Sequence, residues 1–531
     1  MTSIALPRSG RPQLARSEVY GARYMIAFAV TLASVLELVD TSIVNVAIPH
    51  MMGNLGATLD EIAWVSTGYI VANVIILPLT GWLSERLGRR NYYTGSIALF
   101  TLASFFCGHA TTLHDLVFWR AIQGIGGGAL ISTAQAILFD VFPRKEAGTA
   151  MAIFGMGVMV GPTLGPTLGG WITDNYAWPW IFYINVPLGI FAGMMTWRYV
   201  PEPEHHIDMP DQVDWKGLAL LIIGIGSLQI CLERGEAHDW FASREIITEM
   251  TVAVTAILLF VWHELRTPFP VVNLRVLANR QLSIGVVFGL LLGFALYSSV
   301  FALPVFLQNF LGYTAWDTGL VILPGALASA VTMAVAGRFN TRIDARLSIT
   351  VGVLLFALSM WRHYHFTIEL GMGDLLVPMI LRGVAMGLIF VPLTAATVAD
   401  LPSKQMAQGT GLFNLSRQLG GSFGIAITAT ILQRFTEQAR EALRPHLGVT
   451  DAAPRQWLGG LQHLFLRQGG TPQEATHKAM ALLDRVLHQQ AAVIAFEKVF
   501  FTMGAAFLLA LPLLLFMRTG KAAAGAGPAA H

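Results

Sequence analysis

Apolar stretches long enough to cross a membrane recur along almost the whole of this chain of 531 residues. About 20 residues of α-helix, rising about 1.5 Å each, span a hydrocarbon core of about 30 Å. Charged residues make up 12% of the chain, whereas soluble proteins average about 25%. The sequence therefore predicts an all-α polytopic membrane protein with fourteen transmembrane helices. The predicted spans lie roughly at residues 24–48, 62–83, 93–110, 114–139, 147–172, 179–200, 215–232, 246–263, 282–307, 316–337, 346–363, 374–399, 409–432 and 494–517.

The basic residues predict which side of the membrane each loop faces. If the chain starts in the cytoplasm, the inward segments hold 20 lysines and arginines and the short outward loops hold three. An excess of these residues in short cytoplasmic loops sets the orientation of a membrane protein. We therefore expect both termini in the cytoplasm and the long loop 433–493, with short amphipathic helices, on the periplasmic side.

Related segments recur in the two parts of the chain. Residues 81–90 (GWLSERLGRR) and 337–346 (GRFNTRIDAR) share a glycine and two arginines at matching positions. Internal repetition of this kind is typical of transporters built from two bundles. We expect an N-terminal six-helix bundle at 1–200, a linker with two inserted transmembrane helices at 201–280, and a C-terminal six-helix bundle at 281–531.

Two carboxylates interrupt the first apolar run. Glu37 and Asp40 are three residues apart, so they share one helix face. A carboxylate near the bilayer centre costs at least about 2.5 kcal/mol, and such acids usually face a polar interior where they bind ions or protons. Counted from the predicted span ends, Arg120 lies at a depth similar to that of Asp40. We expect these three residues to form a proton-coupling cluster. The alternatives are that the acids lie in a loop or form a structural pair, and that Arg120 is a structural arginine.

Glycines recur at every fourth position of the fifth predicted span. Gly157, Gly161, Gly165 and Gly169 form a stripe at which another helix can approach closely. Pro162 removes a backbone hydrogen bond and bends the helix. We expect this helix to act as a hinge at a rocking interface between the bundles; static packing of small residues is the alternative.

The loop that follows the second span is predicted to form a cytoplasmic gate. It combines one acid, three arginines and two glycines at a helix end. The residues concerned are Gly81, Glu85, Arg86, Gly88, Arg89 and Arg90. A charge latch between the bundles is one interpretation, and a signal for membrane orientation alone is the other.

Further polar residues interrupt the later spans and are candidates for a central cavity. They are Gln123, Arg382, Asn414 and Arg417. We expect neither a cofactor nor a metal centre. The glycine-rich residues 124–128 lie within a span and follow no strand. The histidine pair His363 and His365 has no third candidate ligand nearby in the sequence.

Together these motifs resemble the major facilitator superfamily and, within it, the fourteen-span drug:proton antiporters of the EmrB/QacA type. The segment 81–90 is similar to the loop signature of the superfamily, with Glu85 where aspartate is usual. LVDTSIVNVAIP at 38–49 resembles the first-span signature of this group, and Arg120 matches its fourth-span arginine. Residues 161–170 match the motif associated with antiporters.

The resemblance implies proton-driven export of hydrophobic and amphipathic toxic compounds by alternating access, with protonation centred on Asp40. Glu37 departs from the usual motif, so we expect an altered proton number or a preference for cationic substrates. EmrB-like pumps work with an EmrA-like periplasmic adaptor and a TolC-like outer-membrane channel, which implies the same partners and the inner membrane here. The loop 433–493 lies on the side that would contact the adaptor.

Two other functions remain as alternatives. The buried arginines are also suited to an exporter of a specific fatty acid, siderophore or metabolite. A membrane enzyme or sensor would need a catalytic cluster or a soluble domain, and the sequence offers neither, so we expect no enzymatic activity.

Overall fold

A computed structural model describes residues 16–202, 213–339, 342–367, 369–447 and 452–517. The described residues form helices and no β-strand. Fourteen long helices lie where spans are predicted, which confirms the all-α membrane fold. In chain order they are α1 (Arg16–Leu55), α2 (Leu59–Leu87), α3 (Arg89–His109), α4 (Leu113–Val141), α5 (Ala147–Asn175), α6 (Trp180–Tyr199), α7 (Trp215–Arg234), α8 (Arg244–Arg266), α9 (Arg280–Asn309), α10 (Ala315–Phe339), α11 (Ala345–Tyr364), α12 (Met372–Val398), α13 (Met406–Leu443) and α15 (Pro472–Leu508), with α14 (Ala452–Arg467) between the last two.

Hydropathy separates these helices into two groups. Within the described part of the chain, twelve helical segments are long and apolar enough to cross a membrane. The two other predicted spans are α3 and α13, and α13 carries buried polar residues such as Asn414 and Arg417. Buried polar side chains lower the mean hydropathy of α13. Such side chains are tolerated because a helix surrounded by other helices does not need a fully apolar surface.

The helices pack as two sets with a hairpin between them. Helices α1–α6 pack against one another, as do α9–α13 with α15. The hairpin of α7 and α8 contacts both sets: Gln229 Nε2 donates to Ser422 Oγ of α13 at 2.8 Å, and Arg234 Nη2 lies 2.8 Å from Asp60 Oδ1 of α2. Extensive packing of α5 against α10 also joins the two sets.

The segment predicted as the loop 433–493 is largely a continuation of two spans, so that prediction of short separate helices is wrong for most of it. Helix α13 continues to Leu443, and α15 begins at Pro472 and runs without a break into its span. Thr471 starts α15 through a reciprocal capping box with Glu474. Arg440 Nη2 lies 2.6 Å from Asp484 Oδ1 and links the two extensions; α14 alone matches the predicted amphipathic type.

Some sequence predictions concern residues outside the described ranges. Most of the predicted linker, residues 203–212, is outside them, as are the predicted cytoplasmic ends at 1–15 and 518–531.

Candidate functional site

The structure brings Asp40 and Arg120 together as an ion pair inside the first set of helices. Arg120 Nη1 lies 2.6 Å from Asp40 Oδ2, and the two side chains are 1% and 0% exposed. The other carboxylate oxygen, Oδ1, accepts hydrogen bonds from Gln123 Nε2 and Asn185 Nδ2, each at 2.8 Å. Helices α1, α4 and α6 therefore converge on one carboxylate, and both of its oxygens have partners.

Arg120 is itself fixed by neighbours on α2 and α4. Its Nε donates to the carbonyl oxygen of Val65 at 3.1 Å, and its Nη1 also donates to Gln123 Oε1 at 2.9 Å. Its guanidinium carbon lies 4.1 Å from the centre of the Tyr69 ring, within the range of a cation–π interaction. These contacts hold the guanidinium in one place, so the position of its charge beside Asp40 is set before anything binds.

Glu37 lies apart from this pair and faces the second set of helices. Its Oε1 accepts a hydrogen bond from Asn73 Nδ2 at 3.0 Å. Its Oε2 is buried and has no hydrogen-bond partner among the described residues. Glu37 lines a small cavity that Asn414 and Arg417 of α13 line from the opposite side. The predicted cluster of three residues is therefore two separate sites, one turn of α1 apart.

Arg417 places a buried positive charge at this cavity. It is 2% exposed, and its Nε and Nη1 atoms have no acceptor within the described ranges. Beside it, Asn414 Nδ2 donates to Gln135 Oε1 of α4 at 2.7 Å, a hydrogen bond that joins the two sets of helices. The cavity thus lies where the two halves of the molecule meet.

Two of the predicted cavity residues lie elsewhere. Gln123 lies between Arg120 and Asp40: its Oε1 accepts a hydrogen bond from Arg120, and its Nε2 donates one to the buried carboxylate of Asp40. Arg382 donates through Nη1 to the carbonyl oxygen of Ser299 at 3.5 Å.

The predicted gate contacts the second half through its glycine and its acid. A Cβ at Gly81 would lie 2.6 Å from Gln408 Cγ, so glycine permits α2 and α13 to touch there. Glu85 Oε1 accepts a hydrogen bond from Gln408 Nε2 at 3.3 Å. Arg86 lies over the ring of Trp82 with 5.4 Å to its centre. Glu85 therefore links the end of α2 to α13 in the second half.

The remaining gate residues contact the first half of the molecule. Gly88 adopts a positive φ of 82° between α2 and α3, a conformation that favours glycine. Arg89 pairs with Asp140 at the end of α4. Arg90 Nε lies 3.9 Å from Glu202 Oε1. These arginines brace the turn against α4 and the end of α6.

The glycine stripe of α5 packs on α1, so its predicted place at the interface between the bundles needs correction. A Cβ at Gly161 would lie 2.7 Å from Leu38 Cβ, and one at Gly169 would lie 2.8 Å from Ile43 Cγ1. Gly157 and Gly165 contact α1 in the same way. Because residues four apart share one helix face, all four glycines face α1. Helix α5 continues through Pro162 and Pro166, and a different face of it meets α10.

Sequence reasoning missed the amides that surround the two acids. Asn73, Asn185 and Gln135 are buried and hydrogen-bond to site residues. Each is a single amide in an otherwise apolar stretch, and that signal identifies a polar interior as an intramembrane acid does.

A helical chain of this kind, with an ion pair buried between apolar helices and a polar cavity between two halves, is a multi-pass membrane transporter. The model of the Major Facilitator Superfamily matches residues 30–425. The chain is 36% identical to the multidrug export protein EmrB of Escherichia coli (strain K12) over 96% of this chain and 98% of that protein. It is 33% identical to the fatty acid resistance protein FarB of Neisseria gonorrhoeae, over 94% and 97% of the two chains.

A solved structure agrees on the fold. The human organic anion transporter MFSD10 superimposes with a TM-score of 0.60 at 14% identity, over 93% of this chain and 99% of that one. The chain belongs to the Major Facilitator Superfamily, which confirms the relationship inferred from its motifs.

Proposed function

We propose that this protein is a proton-coupled antiporter that exports hydrophobic and amphipathic drugs by alternating access. The observation that carries the proposal is the buried ion pair of Asp40 and Arg120, because Asp40 lies on the same helix, α1, that presents Glu37 to a cavity between the two halves. The multidrug export function in the name of the EmrB relative supports the substrate class.

In this mechanism the two acids of α1 link proton binding to drug binding. A carboxylate in a dry interior is stable when it is paired with a cation or protonated. Arg120 supplies the cation for Asp40, whereas Glu37 Oε2 has no hydrogen-bond partner in the described part of the chain. Proton entry from the outside and drug binding from the inside then compete for these carboxylates, and Arg120 positions Asp40 between the two states.

Proteoliposomes with an imposed proton gradient test this proposal. Asp40→Asn should abolish tetraphenylphosphonium-dependent proton movement, because asparagine keeps the shape but neither charges nor titrates. Asp484→Asn is the matched control, since Asp484 is 59% exposed and far along α15 from the span. Full exchange by Asp40→Asn would remove this residue from the mechanism.

We propose further that the protein has three units: residues 1–200, the inserted segment 201–280, and residues 281–531. The first and the last of these units would rock against each other during transport. The contact of Gly81 and Glu85 with Gln408 would act as the cytoplasmic gate, braced by Arg86, Gly88, Arg89 and Arg90. The close packing of α5 on α1 supports a role for α5 in moving the acid-bearing helix, with Pro162 as its flexible point.

We propose an inner-membrane location with both termini cytoplasmic, and a periplasmic position for the projecting ends of α13 and α15 with α14. An EmrA-like periplasmic adaptor and a TolC-like outer-membrane channel would complete the export route. Replacing residues 448–470 by a Gly/Ser segment of equal length leaves the Arg440–Asp484 link intact. This variant should keep transport in vesicles and lose drug resistance in whole cells; unchanged resistance would contradict the adaptor contact.

A second candidate function is export of a specific fatty acid or another amphipathic anion, such as a siderophore or metabolite. It is favoured by Arg417 Nε and Nη1, which have no acceptor among the described residues and which an anion would satisfy, and by the name of the relative FarB. An efflux screen that compares decanoate with tetraphenylphosphonium separates the two candidates.

A further inference from the structure

An apolar cavity of about 110 Å³ lies where the hairpin of α7 and α8 meets both halves of the molecule. We propose that it holds an acyl chain of an anionic phospholipid of the cytoplasmic leaflet, and that Lys216 and Arg275 bind the phosphate of that lipid. The leaflet follows from the proposed cytoplasmic location of the termini. The inference does not depend on which compound the protein exports.

The walls of this cavity come from three parts of the chain. Leu221 and Phe260 belong to the hairpin, Pro78 to α2 and Leu412 to α13, and Val272 lies in the loop after α8. All of the described residues that line the cavity are apolar. A cavity without polar partners for water stays dry, and an apolar cavity of about 150 Å³ binds benzene. The lining therefore favours a hydrocarbon occupant over water.

The depth of the cavity matches that of phospholipid acyl chains. Trp215 and Trp262, which are 71% and 54% exposed, mark the membrane–water interface at the start of α7 and the end of α8. Leu221 lies six residues after Trp215, and Ile257 lies five residues before Trp262, so the cavity is about 8–9 Å below that interface. Val261, another lining residue, is 39% exposed, so the cavity reaches the lipid-facing surface. Acyl chains are the hydrocarbon that lies at this place.

Basic residues at the same end of the hairpin offer partners for a phosphate. Lys216 is exposed and lies one turn from Leu220, a lining residue on the same face of α7. Arg275 is exposed and directly follows the lining residue Leu274. Its Nη2 donates to the carbonyl oxygen of Leu265 at 3.1 Å, which holds the guanidinium beside the end of α8. Basic pockets at the cytoplasmic ends of membrane helices commonly bind anionic headgroups.

The acids at this end of the hairpin have partners within the protein. His263 Nε2 lies 2.8 Å from Asp214 Oδ2, and the Asp214 side chain is 9% exposed. Glu264 is 1% exposed, and its Oε2 accepts a hydrogen bond from the backbone N–H of Val272 at 3.4 Å. The exposed charged side chains described at this end and in the loop after it are Lys216, Arg266 and Arg275. A headgroup here therefore meets positive charge, which favours an anionic phospholipid over a zwitterionic one.

Photolabelling of the full-length protein in proteoliposomes tests the inference. Phosphatidylglycerol or phosphatidylcholine, each with a diazirine near the middle of one acyl chain, is added as a trace lipid, and the labelled residues are located by mass spectrometry. The lining residues of α7 and α8 should be labelled at least about 5-fold more by the phosphatidylglycerol probe, because a Lys or Arg near the membrane surface contributes about 1 kcal/mol. Lys216→Gln together with Arg275→Gln should remove this excess, and Lys216→Gln alone should reduce it.

A cavity-filling variant separates a bound acyl chain from the surrounding bulk lipid. Leu220→Trp places an indole in the cavity and should abolish the excess labelling of α8 by the phosphatidylglycerol probe. Val331→Trp is the matched control, since Val331 is 65% exposed on α10, eight residues from the end of that helix, and does not line the cavity. If Leu220→Trp does not fold, Val272→Phe fills the cavity from the loop.

Three results would overturn the inference. They are equal labelling of the lining residues by the two probes in the wild-type protein, labelling that the filling variant leaves unchanged, and loss of the label when tetraphenylphosphonium is added, which would assign the cavity to cargo. Each of these results is read without a transport measurement. Failure of the antiporter proposal is seen instead in the exchange assay with Asp40→Asn.

Discussion

Asp40 and Glu37 lie one helical turn apart on α1, and their surroundings differ sharply. Both oxygens of Asp40 have partners from α4 and α6, and the carboxylate is sealed from solvent. Glu37 has one amide partner, and within the described ranges its second oxygen, at a cavity, has none. The two acids have similar chemistry and nearly the same depth, so the difference comes from the helices that face them.

The comparison separates two properties that a coupled transporter needs. A carboxylate with fixed partners holds its position, as a buried ion pair with good geometry does. A carboxylate with a free oxygen at a cavity is available to a proton or a ligand. The first property depends on contacts within one half of the molecule, and the second on contacts between the halves.

The largest predicted effect on stability comes from breaking the Asp40 pair. Arg120→Met leaves Asp40 buried and unpaired, which should lower the free energy of unfolding by about 3–5 kcal/mol. Chemical unfolding in detergent micelles measures the change. Arg440→Met is the control, because it breaks an exposed pair with Asp484 that solvent screens and should change the free energy of unfolding little. Equal effects of the two substitutions would remove the contrast between the buried and the exposed pair.

The opposite result is expected at the cavity. Arg417→Met removes a buried cation whose Nε and Nη1 lack acceptors in the described residues. The free energy of unfolding of the protein without ligand should then stay the same or rise by up to about 3 kcal/mol, because an unsatisfied charged group is replaced by an apolar one. The same unfolding measurement applies. A loss as large as that of Arg120→Met would show that Arg417 is a structural residue and that the two sites do not differ as described.

A smaller effect is expected from the packing that holds α1. Gly161→Ala places a methyl group 2.7 Å from Leu38 Cβ and should cost about 1–3 kcal/mol through overpacking. Gly95→Ala is the control, since beyond its own helix the added methyl group meets no described atom within 4 Å, and a helical alanine should stabilise by about 0.5–1 kcal/mol. Thermal unfolding of the two variants should therefore shift in opposite directions; a matching shift would argue against tight α1–α5 packing.

The smallest effect is expected at the gate. Gln408→Ala removes the donor to Glu85 and should weaken the contact between the halves by about 0.5–1.5 kcal/mol. Cysteine labelling from the cytoplasmic side should then increase at a residue introduced in the cavity wall, such as Ile131→Cys. Thr471→Ala, which removes the cap of α15, is a control of similar size at the other end of the molecule. Unchanged labelling in Gln408→Ala would show that the contact of Gln408 with Glu85 does not control access to the cavity from the cytoplasm.

The sequence predicts the fold well, because helix number and span length follow from apolar runs that the bilayer requires. It also predicts the meeting of Asp40 and Arg120 from their depths, since rise per residue converts sequence position to depth. It does not predict the separation of Glu37 from that pair. Depth says nothing about which neighbouring helix faces an acid, and Asn73 and Arg417 decide that through tertiary packing.

Two other features escape the sequence for similar reasons. The glycine stripe of α5 predicts close packing with another helix, but it does not indicate whether that helix is α1 or α10. The continuation of α13 to Leu443 and of α15 from Pro472 escapes a hydropathy reading, because the bilayer no longer selects apolar residues there. Local capping at Thr471 is the signal that identifies the start of α15.

Drug-induced proton release by the purified protein tests the central claim most directly. In weakly buffered detergent solution at constant ionic strength, tetraphenylphosphonium is added and proton release is followed with a pH indicator. The wild-type protein should release protons in proportion to bound drug, whereas a variant with Asp40→Asn and Glu37→Gln together should release none at any drug concentration. Undiminished release from that double variant would show that the proton leaves another group and would contradict the account of α1.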